Sequence, residues 1–387
     1  MAIQATESGL RVLHVIETLG VGGAEQLLVN ILPELSLLGA HCEVAVLWPP
    51  YTLAEELEKR GITVHRFGLT QRWNVSKGVS VLKTLVSSNF PIIHSHLFFP
   101  MLYAAASRPL LPKLRSVLTF HNQTFIGFPA NTPWKKIRRS WEAWFTNHCF
   151  EYLTAVSDSV GDHYAEQLGI ERARIHTVPD GVPLDIAPDS TLDVTSIRRQ
   201  YGVPVDAFLI VSPGRLIEQK GHKFLLEAVL QLRSQGTCPF VKIIGNGSLR
   251  EAFLTIIREH VLAGHVGIID ALPHSDLFPL IQSADLVVLP SIFEGFGIVL
   301  CECMLLSKPV LATQCGGFGE IIEDDKSGVL VPPGDSSALA SAIHKLTWDP
   351  DKRHRIASAA RDRIVMKFSA QAVASEYLKI YRQVAKV

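Results

Sequence analysis

Short apolar runs rich in β-branched residues recur along this chain at intervals that leave room for one helix between neighbours. They are Arg11–Ile16, Cys42–Leu47, Val64–Phe67, Ile92–His96, Val117–His121, Leu153–Val156 and Ile175–Val178. Helical patterns fall between several of them, near Ala24–Leu38, Leu53–Lys59, Val79–Ser87, Trp134–Phe150 and Ser159–Leu168. This alternation predicts a doubly wound, mainly parallel sheet. Pro179, Gly181, Pro183 and Pro188 then form a stretch dense in breakers. A second series follows, with strands at Phe208–Val211, Val241–Ile244, Val266–Ile269, Asp285–Leu289 and Val310–Ala312. Its helices fall at Phe224–Arg233, Leu249–Glu259 and Ile298–Leu306, and the chain from Pro350 onward is helical and amphipathic. At 387 residues the chain exceeds one ordinary core. Two Rossmann-like domains facing across a cleft are the simplest assembly.

Composition removes several classes of partner. Lys+Arg and Asp+Glu both number 37, so no net field recruits nucleic acid. Hydrophobic residues make up 47% and charged residues 19%, the balance of a well-buried globular protein. The six cysteines form no C-x-x-C pair, which argues against a disulfide framework or a zinc site and fits a reducing cytosol. No basic n-region with a long apolar run opens the chain, and no apolar stretch approaches bilayer-spanning length. A cytoplasmic protein is expected, at most peripheral on the inner face of the membrane.

The chemistry gathers in turns that follow strands. Pro290-Ser-Ile-Phe-Glu-Gly-Phe-Gly-Ile-Val-Leu-Cys-Glu302 reads as strand end, glycine-punctuated turn and helix. Glu294 lies in the turn beside Gly295 and Gly297, and Glu302 lies two turns into the helix. Amides at such a helix start suit a polyhydroxylated or anionic ligand. Glu294 as a simple cap and Glu302 as a solvated carboxylate is the plainer alternative. Ser212-Pro-Gly-Arg-Leu-Ile-Glu-Gln-Lys-Gly221 also follows a strand. There Gly214 opens the turn, and Arg215 and Lys220 supply two cations suited to a diphosphate. Gly245-Asn-Gly247 and Gly316-Gly317 with Glu320 follow two more strands of the same series, so four turns share one sheet edge. In the first series Gly22 and Gly23 open a helix after the first strand, with neither a P-loop lysine nor a clean dinucleotide fingerprint.

Together these motifs resemble the retaining glycosyltransferases of family 4, whose signature is the Glu294-x7-Glu302 pair. Gly22-Gly-Ala-Glu25, Thr119-Phe-His121, Ala155-Val-Ser157, Gly214-Arg215, Lys220-Gly221, Gly316-Gly317 with Glu320, and Leu330-Val-Pro-Pro-Gly-Asp335 match it too. The likeness covers nearly the whole chain and is sharper in the second half. It implies an α/β GT-B fold: residues 1–185 on the acceptor side, 186–365 binding the nucleotide sugar, and 366–387 a helix returning to the first domain. It implies a hexosyltransferase that moves a sugar from a nucleoside-diphosphate sugar, UDP favoured, to an acceptor hydroxyl with retained configuration. The acceptor would be a glycan, a lipid-linked glycan or a small molecule, as in polysaccharide or glycolipid synthesis. No cofactor and no metal are implied.

The resemblance also assigns roles. Glu302 would hold the ribose, and Arg215 and Lys220 the diphosphate. Gly214 and Gly245 would line the donor, while Glu294 and the Gly295-Phe296-Gly297-Ile298 backbone would grip the sugar. His121 would face the sugar from the first domain, with Gly22 and Gly23 beneath. Two departures stand out: Asp180-Gly181 replaces the usual Asn-Gly, and Asp270-Ala271 replaces a glycine beside the base. A catalytically silent nucleotide- or partner-binding protein of the same fold is the main alternative. A phosphorylase, an epimerase or a dehydrogenase fits less well.

Three remaining features carry competing readings. Asp349-Pro-Asp351 has metal-binding spacing but precedes a helix, so an N-cap with proline in the first turn is favoured. His94 and His96 share one strand face and are expected to be structural or acceptor-side, since no third ligand lies nearby in sequence. In Trp134–Phe145, Ile137, Trp141 and Trp144 keep helical spacing while Lys135, Lys136, Arg138 and Arg139 fall largely elsewhere. A core-packed helix with solvated bases is one reading. A surface meeting anionic lipid or a lipid-linked acceptor, with Lys135 and Arg138 on the acceptor side, is the other.

Overall fold

The computed structural model describes residues 10–86, 90–124 and 133–386, apart from the side chains of 86 and 133–135. It divides into two compact units, Met1–Pro183 with Ser369–Val387, and Leu184–Phe368.

In the first unit the elements run β1 (Arg11–Ile16), α1 (Gly23–Leu37), β2 (His41–Val46), α2 (Ala54–Lys59), β3 (Thr63–Arg66) and α3 (Val75–Val86). They continue through β4 (Ile92–His96), α4 (Phe98–Ser107), β5 (Arg115–Phe120), α5 (Pro133–Cys149), β6 (Tyr152–Ala155), α6 (Asp158–Leu168) and β7 (Ile175–Thr177). The sheet is parallel, in the order β3-β2-β1-β4-β5-β6-β7. Helices cover both faces of a doubly wound sheet, so β1 and β4 are buried along almost their whole length rather than in alternation.

The second unit carries α7 (Val194–Gln200), β8 (Leu209–Pro213), α8 (His222–Ser234), β9 (Phe240–Ile244), α9 (Arg250–Glu259), β10 (Val266–Ile269) and α10 (His274–Ser283). Next come β11 (Leu286–Leu289), α11 (Ile298–Leu305), β12 (Val310–Thr313), α12 (Phe318–Ile321), β13 (Val329–Val331), α13 (Ser336–Trp348) and α14 (Pro350–Lys367). Its sheet is parallel in the order β10-β9-β8-β11-β12-β13. Arg198 of α7 is buried and ties the entry edge together, donating to the carbonyls of Ser283, Val205 and Ala207 and to Asp285 Oδ2.

The returning helix is α15 (Ala370–Val384), which packs on α1. Ala370 N donates to Val182 O at 2.8 Å, so the chain re-enters the first unit beside the point where it left. Only α15 returns; α14, which the amphipathic tail pattern did not separate from it, stays with the second unit. Asp349 caps α14 by accepting from Lys352 N at 2.8 Å, which satisfies the Asp-Pro-Asp segment as a helix start.

Strand order reverses between β1 and β4 in one sheet and between β8 and β11 in the other. At such switch points the loops leaving adjacent strands splay apart and open a crevice at their carboxyl ends. The Gly22-Gly23, Arg215–Lys220 and Glu294 motifs lie on these loops, after β1, β8 and β11, whereas His121, Gly245 and Gly316 follow the neighbouring strands β5, β9 and β12.

Candidate active site

In the second unit the turns after β8 and β11 are joined directly. Lys220 Nζ donates to Glu294 Oε1 at 2.6 Å, and Ser291 Oγ donates to the same oxygen at 2.6 Å. Gln219 Nε2 donates to Phe293 O at 3.1 Å, and Ile292 N donates to Gln219 O at 2.8 Å. Glu294 is buried, and its Oε2 has no hydrogen bond among the described residues. Arg215 is exposed on the same turn as Lys220 and makes no side-chain hydrogen bond among the described residues, so its planar set of donors is open. Gly214 N donates to Ile244 O and Leu216 N to Asn246 O, which staples this turn to the one carrying Gly245.

The glycines act differently from the sequence expectation. Gly316 has φ +47°, and a Cβ there would collide with the Glu294 carbonyl oxygen. A Cβ at Gly221 would collide with the Pro290 carbonyl oxygen. Gly316 and Gly317 therefore bring the turn after β12 onto the Glu294 loop, instead of opening backbone to a ligand. The amides at a helix start belong instead to α11, with Gly297 as N-cap and Ile298 as first residue, after Gly295 and Phe296. The first amides of a helix lack intrahelical partners and form its positive pole. The Phe296 ring is buried against Phe368, 5.6 Å between centroids, which leaves only its backbone available.

Glu302, one of the buried residues of α11, has His274 Nε2 at 3.6 Å. Burial pushes its carboxyl up to about 8, so it is a neutral acid at pH 7 that both donates and accepts. Asp270, flagged by sequence as a departure, is held by Arg250 at 3.2 Å.

In the first unit Gly22 caps α1 and Gly23 begins it, with open space where the Gly23 Cβ would be. His121 follows β5 and belongs to a buried polar chain. His96 Nδ1 and His121 Nε2 are 2.9 Å apart, and His14 Nδ1 and His96 Nε2 3.1 Å. Tyr381 of α15 contacts His14 Nε2 at 3.4 Å and His94 Nδ1 at 2.7 Å. His94 Nε2 meets Thr119 Oγ1 at 2.6 Å, which meets Thr154 Oγ1 at 2.6 Å, and Thr154 donates to Leu118 O at 3.3 Å.

The Tyr377 hydroxyl also lies 3.4 Å from Thr119 Oγ1. With Thr154 donating to the Leu118 carbonyl and Tyr377 donating to Thr119, one consistent set of directions follows. Thr119 donates to Thr154, His94 Nε2–H to Thr119, Tyr381 to His94, and His14 Nε2–H to Tyr381. His96 Nε2–H then donates to His14 and His121 Nε2–H to His96. Burial pushes His14 and His121 down to about 3 and His94 and His96 well below their ordinary range, so all four rings are neutral. Each then has one donor and one acceptor. His121 is left with a lone pair on Nδ1, which is buried and unpartnered among the described residues.

His94 and His96 are fully buried, which corrects their placement as acceptor contacts: they can act only through His121. The third histidine that sequence spacing lacked is His14, paired with His94 across β1 and β4. His14, His94 and His96 could close on an ion, each offering a nitrogen within 4.8 Å of the others. Arg138 lies over the Phe98 ring at 4.1 Å, with its Nε 3.9 Å from Glu142 Oε2. Lys135 falls outside the described side chains. Ile137, Trp141 and Trp144 are exposed, whereas Glu142, Thr146 and Cys149 form the inward side of α5. Spacing alone gave no signal for Ser291, His14, Glu142 or Tyr381.

Two parallel, doubly wound sheets of seven and six strands, each with a reversal of strand order, define a GT-B fold. Anabaena HepE, solved in complex with UDP and glucose, superposes with a TM-score of 0.82 at 21% identity, over 97% of this chain and 100% of that one. The model for glycosyltransferase family 4 matches residues 21–186, and that for glycosyl transferases group 1 matches 193–363. The chain belongs to glycosyltransferase family 4. It is 28% identical over 278 residues to the alpha-D-kanosaminyltransferase of Streptomyces kanamyceticus, covering 69% of this chain and 70% of that one. It is 33% identical over 254 residues to the D-inositol 3-phosphate glycosyltransferase of Xylanimonas cellulosilytica, covering 61% of this chain and 59% of that one.

Proposed function

We propose that this chain transfers a hexosyl group from a nucleoside-diphosphate sugar, UDP favoured, to an acceptor hydroxyl with retention of configuration and without a metal. The observation that carries the reading is the turn after β8, where exposed Arg215 and glutamate-paired Lys220 lie beside the turn that starts α11. Departure of the sugar from the anomeric carbon puts charge on the diphosphate. Two cations fixed there stabilise the charge as it develops, which is where electrostatic catalysis is most effective. Glu294 Oε2 accepts from sugar hydroxyls and Glu302 from the ribose.

Retention follows from attack on the face that the leaving group vacates. The acceptor oxygen bonds to the anomeric carbon as the bond to the phosphate oxygen breaks, and the acceptor proton passes to that phosphate oxygen. HepE, with UDP and glucose in its solved complex, supports the choice of nucleotide; the kanosaminyl-transferring relative supports transfer of a hexosyl group, and the inositol-phosphate-directed relative supports a small acceptor. A cytoplasmic enzyme peripheral to the membrane, serving polysaccharide or glycolipid synthesis, fits the exposed Trp141 and Trp144 with Arg139 and Lys136 beside them. No helix among the described residues is long and apolar enough to cross a membrane.

The test is release of nucleoside diphosphate from a panel of UDP-, GDP- and ADP-sugars. Release by the wild type from one donor is expected, with a loss of about 10²-fold in Lys220→Ala. No release from any donor, with or without candidate acceptors, would favour the silent-protein alternative.

A further inference from the structure

Behind His121 the buried polar chain runs to the returning helix α15, and the acid–base character of its members sets its direction there. His94 lies between two hydroxyls, with Tyr381 Oη 2.7 Å from Nδ1 and Thr119 Oγ1 2.6 Å from Nε2. A neutral imidazole donates one hydrogen bond and accepts one, so one oxygen must give a proton and the other must take one. The phenol is a stronger acid than the alcohol, hence the better donor and the poorer acceptor. Tyr381 therefore donates to His94 Nδ1, and His94 Nε2–H donates to Thr119. Burial pushes the Tyr381 phenol well above its ordinary range, which keeps the proton on its oxygen.

The rest of the chain follows from that one bond. Having given its proton to His94, Tyr381 can only accept from His14 Nε2, 3.4 Å away. His14 Nδ1 is then bare and accepts from His96 Nε2–H at 3.1 Å, and His96 Nδ1 accepts from His121 Nε2–H at 2.9 Å. The opposite direction would reverse each of these bonds and put a hydrogen on His121 Nδ1. That nitrogen is buried and has no partner among the described residues. An orphaned buried N–H is rarer in folded proteins than an acceptor short of a donor. Both ends of the chain thus favour one direction. His14, His94, His96 and Tyr381 are fully buried, so bulk water does not compete for these bonds.

We propose that Tyr381 is a positioning residue: from α15 it fixes the direction of the chain, so that His121 presents a bare Nδ1 and can only accept a hydrogen bond there. A group meeting this nitrogen must bring its own hydrogen, as a hydroxyl does and an ionised phosphate or carboxylate does not. A consequence for catalysis follows only if the chain transfers sugar as proposed above; the tautomer itself does not depend on that reading.

Nuclear magnetic resonance of the full chain, with isotope-labelled nitrogen in the histidine rings and prior dialysis against EDTA, reads which ring nitrogen carries each proton. The His121 signals are identified by their loss in His121→Gln. A single wild-type tautomer is expected at His121, protonated on Nε2. In Tyr381→Phe the His14 Nε2–H loses its acceptor, and the tautomer ratio at His121 should move ~10-fold or more toward the Nδ1–H form. A hindered fold alone would not move that ratio in one direction. A proton on Nδ1 in the wild type, or an unchanged ratio in a folded Tyr381→Phe, would overturn the proposal. So would one equivalent of metal retained after dialysis, because an ion on His14, His94 and His96 takes the lone pairs that the chain uses. Thermal melts check the fold. If Tyr381→Phe does not fold, His14→Leu, which removes the acceptor of His96 Nε2–H, must move the ratio the same way. Nucleoside diphosphate release by the wild type, measured separately, decides the transfer reading whichever tautomer is found.

Discussion

Replacing Glu302 with Gln should stabilise the second unit by an amount that grows with pH. Burial raises the carboxyl from an ordinary 4.5 to about 8, so the folded state holds this proton more tightly than the unfolded chain. The associated stability is fully present below pH 4.5 and is lost as pH rises through 8. Within that window each pH unit costs about 1.4 kcal/mol, the free energy of one proton bound only in the folded state. From pH 5 to pH 7.5 the wild type therefore loses up to about 3 kcal/mol through this one group. An amide of the same shape loses none of it. In a unit of this size 1 kcal/mol corresponds to roughly 2–4 °C, so the gap in Tm should widen by as much as about 6–12 °C. Parallel calorimetry of the two proteins from pH 5 to pH 9 measures it, because every other titrating group is common to both. The gap should flatten above about pH 8.5. A gap independent of pH would mean that Glu302 is already ionised in the folded protein, and the neutral-acid description of Glu302 would fall. UDP affinity adds a second reading: Gln, which also donates and accepts, should retain more of it than Ala.

Three further outcomes are expected. Arg198→Ala should destabilise the second unit by about 3–5 kcal/mol, because it strands Asp285 and three carbonyls at once; urea denaturation measures it, and a loss below 1 kcal/mol would contradict the description. Gly316→Ala should displace the Glu294 loop and weaken UDP binding as well as lower Tm, because the new Cβ cannot coexist with the Glu294 carbonyl; wild-type Tm and affinity would refute the loop contact. Trp141→Ser/Trp144→Ser should reduce co-sedimentation with vesicles containing anionic lipid at low salt; no wild-type binding to such vesicles would remove the membrane from the account.

The strands were legible wherever a β-branched run was continuous. Arg11–Ile16, Ile92–His96 and Val266–Ile269 fall where the pattern put them; the first two are central strands buried along nearly their whole length, and the third is a half-buried edge strand whose apolar run still marked it. Helices without a polar face gave no period to read: α4 is buried nearly all round, and α10 carries Pro279 inside it. The edge strand Val329–Val331 is three residues long and half-buried, too little for any pattern to register. Individual motif residues were visible, but their partners were not. Lys220 and Glu294 lie 74 positions apart and meet because β8 and β11 are neighbours at the strand-order reversal. His14 was hidden for the same reason, since only the adjacency of β1 and β4 sets it beside His94. Glycine patterning located the loops correctly but misdirected their purpose, because sequence cannot tell a backbone that nears a ligand from one that nears another loop.

Calorimetric titration of UDP into the wild type, Arg215→Ala and the charge-neutral double variant Lys220→Met/Glu294→Gln tests the donor site most directly. The double variant removes both members of the pair, so no buried charge is left stranded to unfold the loop. Saturable binding by the wild type is expected, with affinity at least ~10-fold weaker in each variant. Equal affinity in all three proteins would contradict a diphosphate held by this turn.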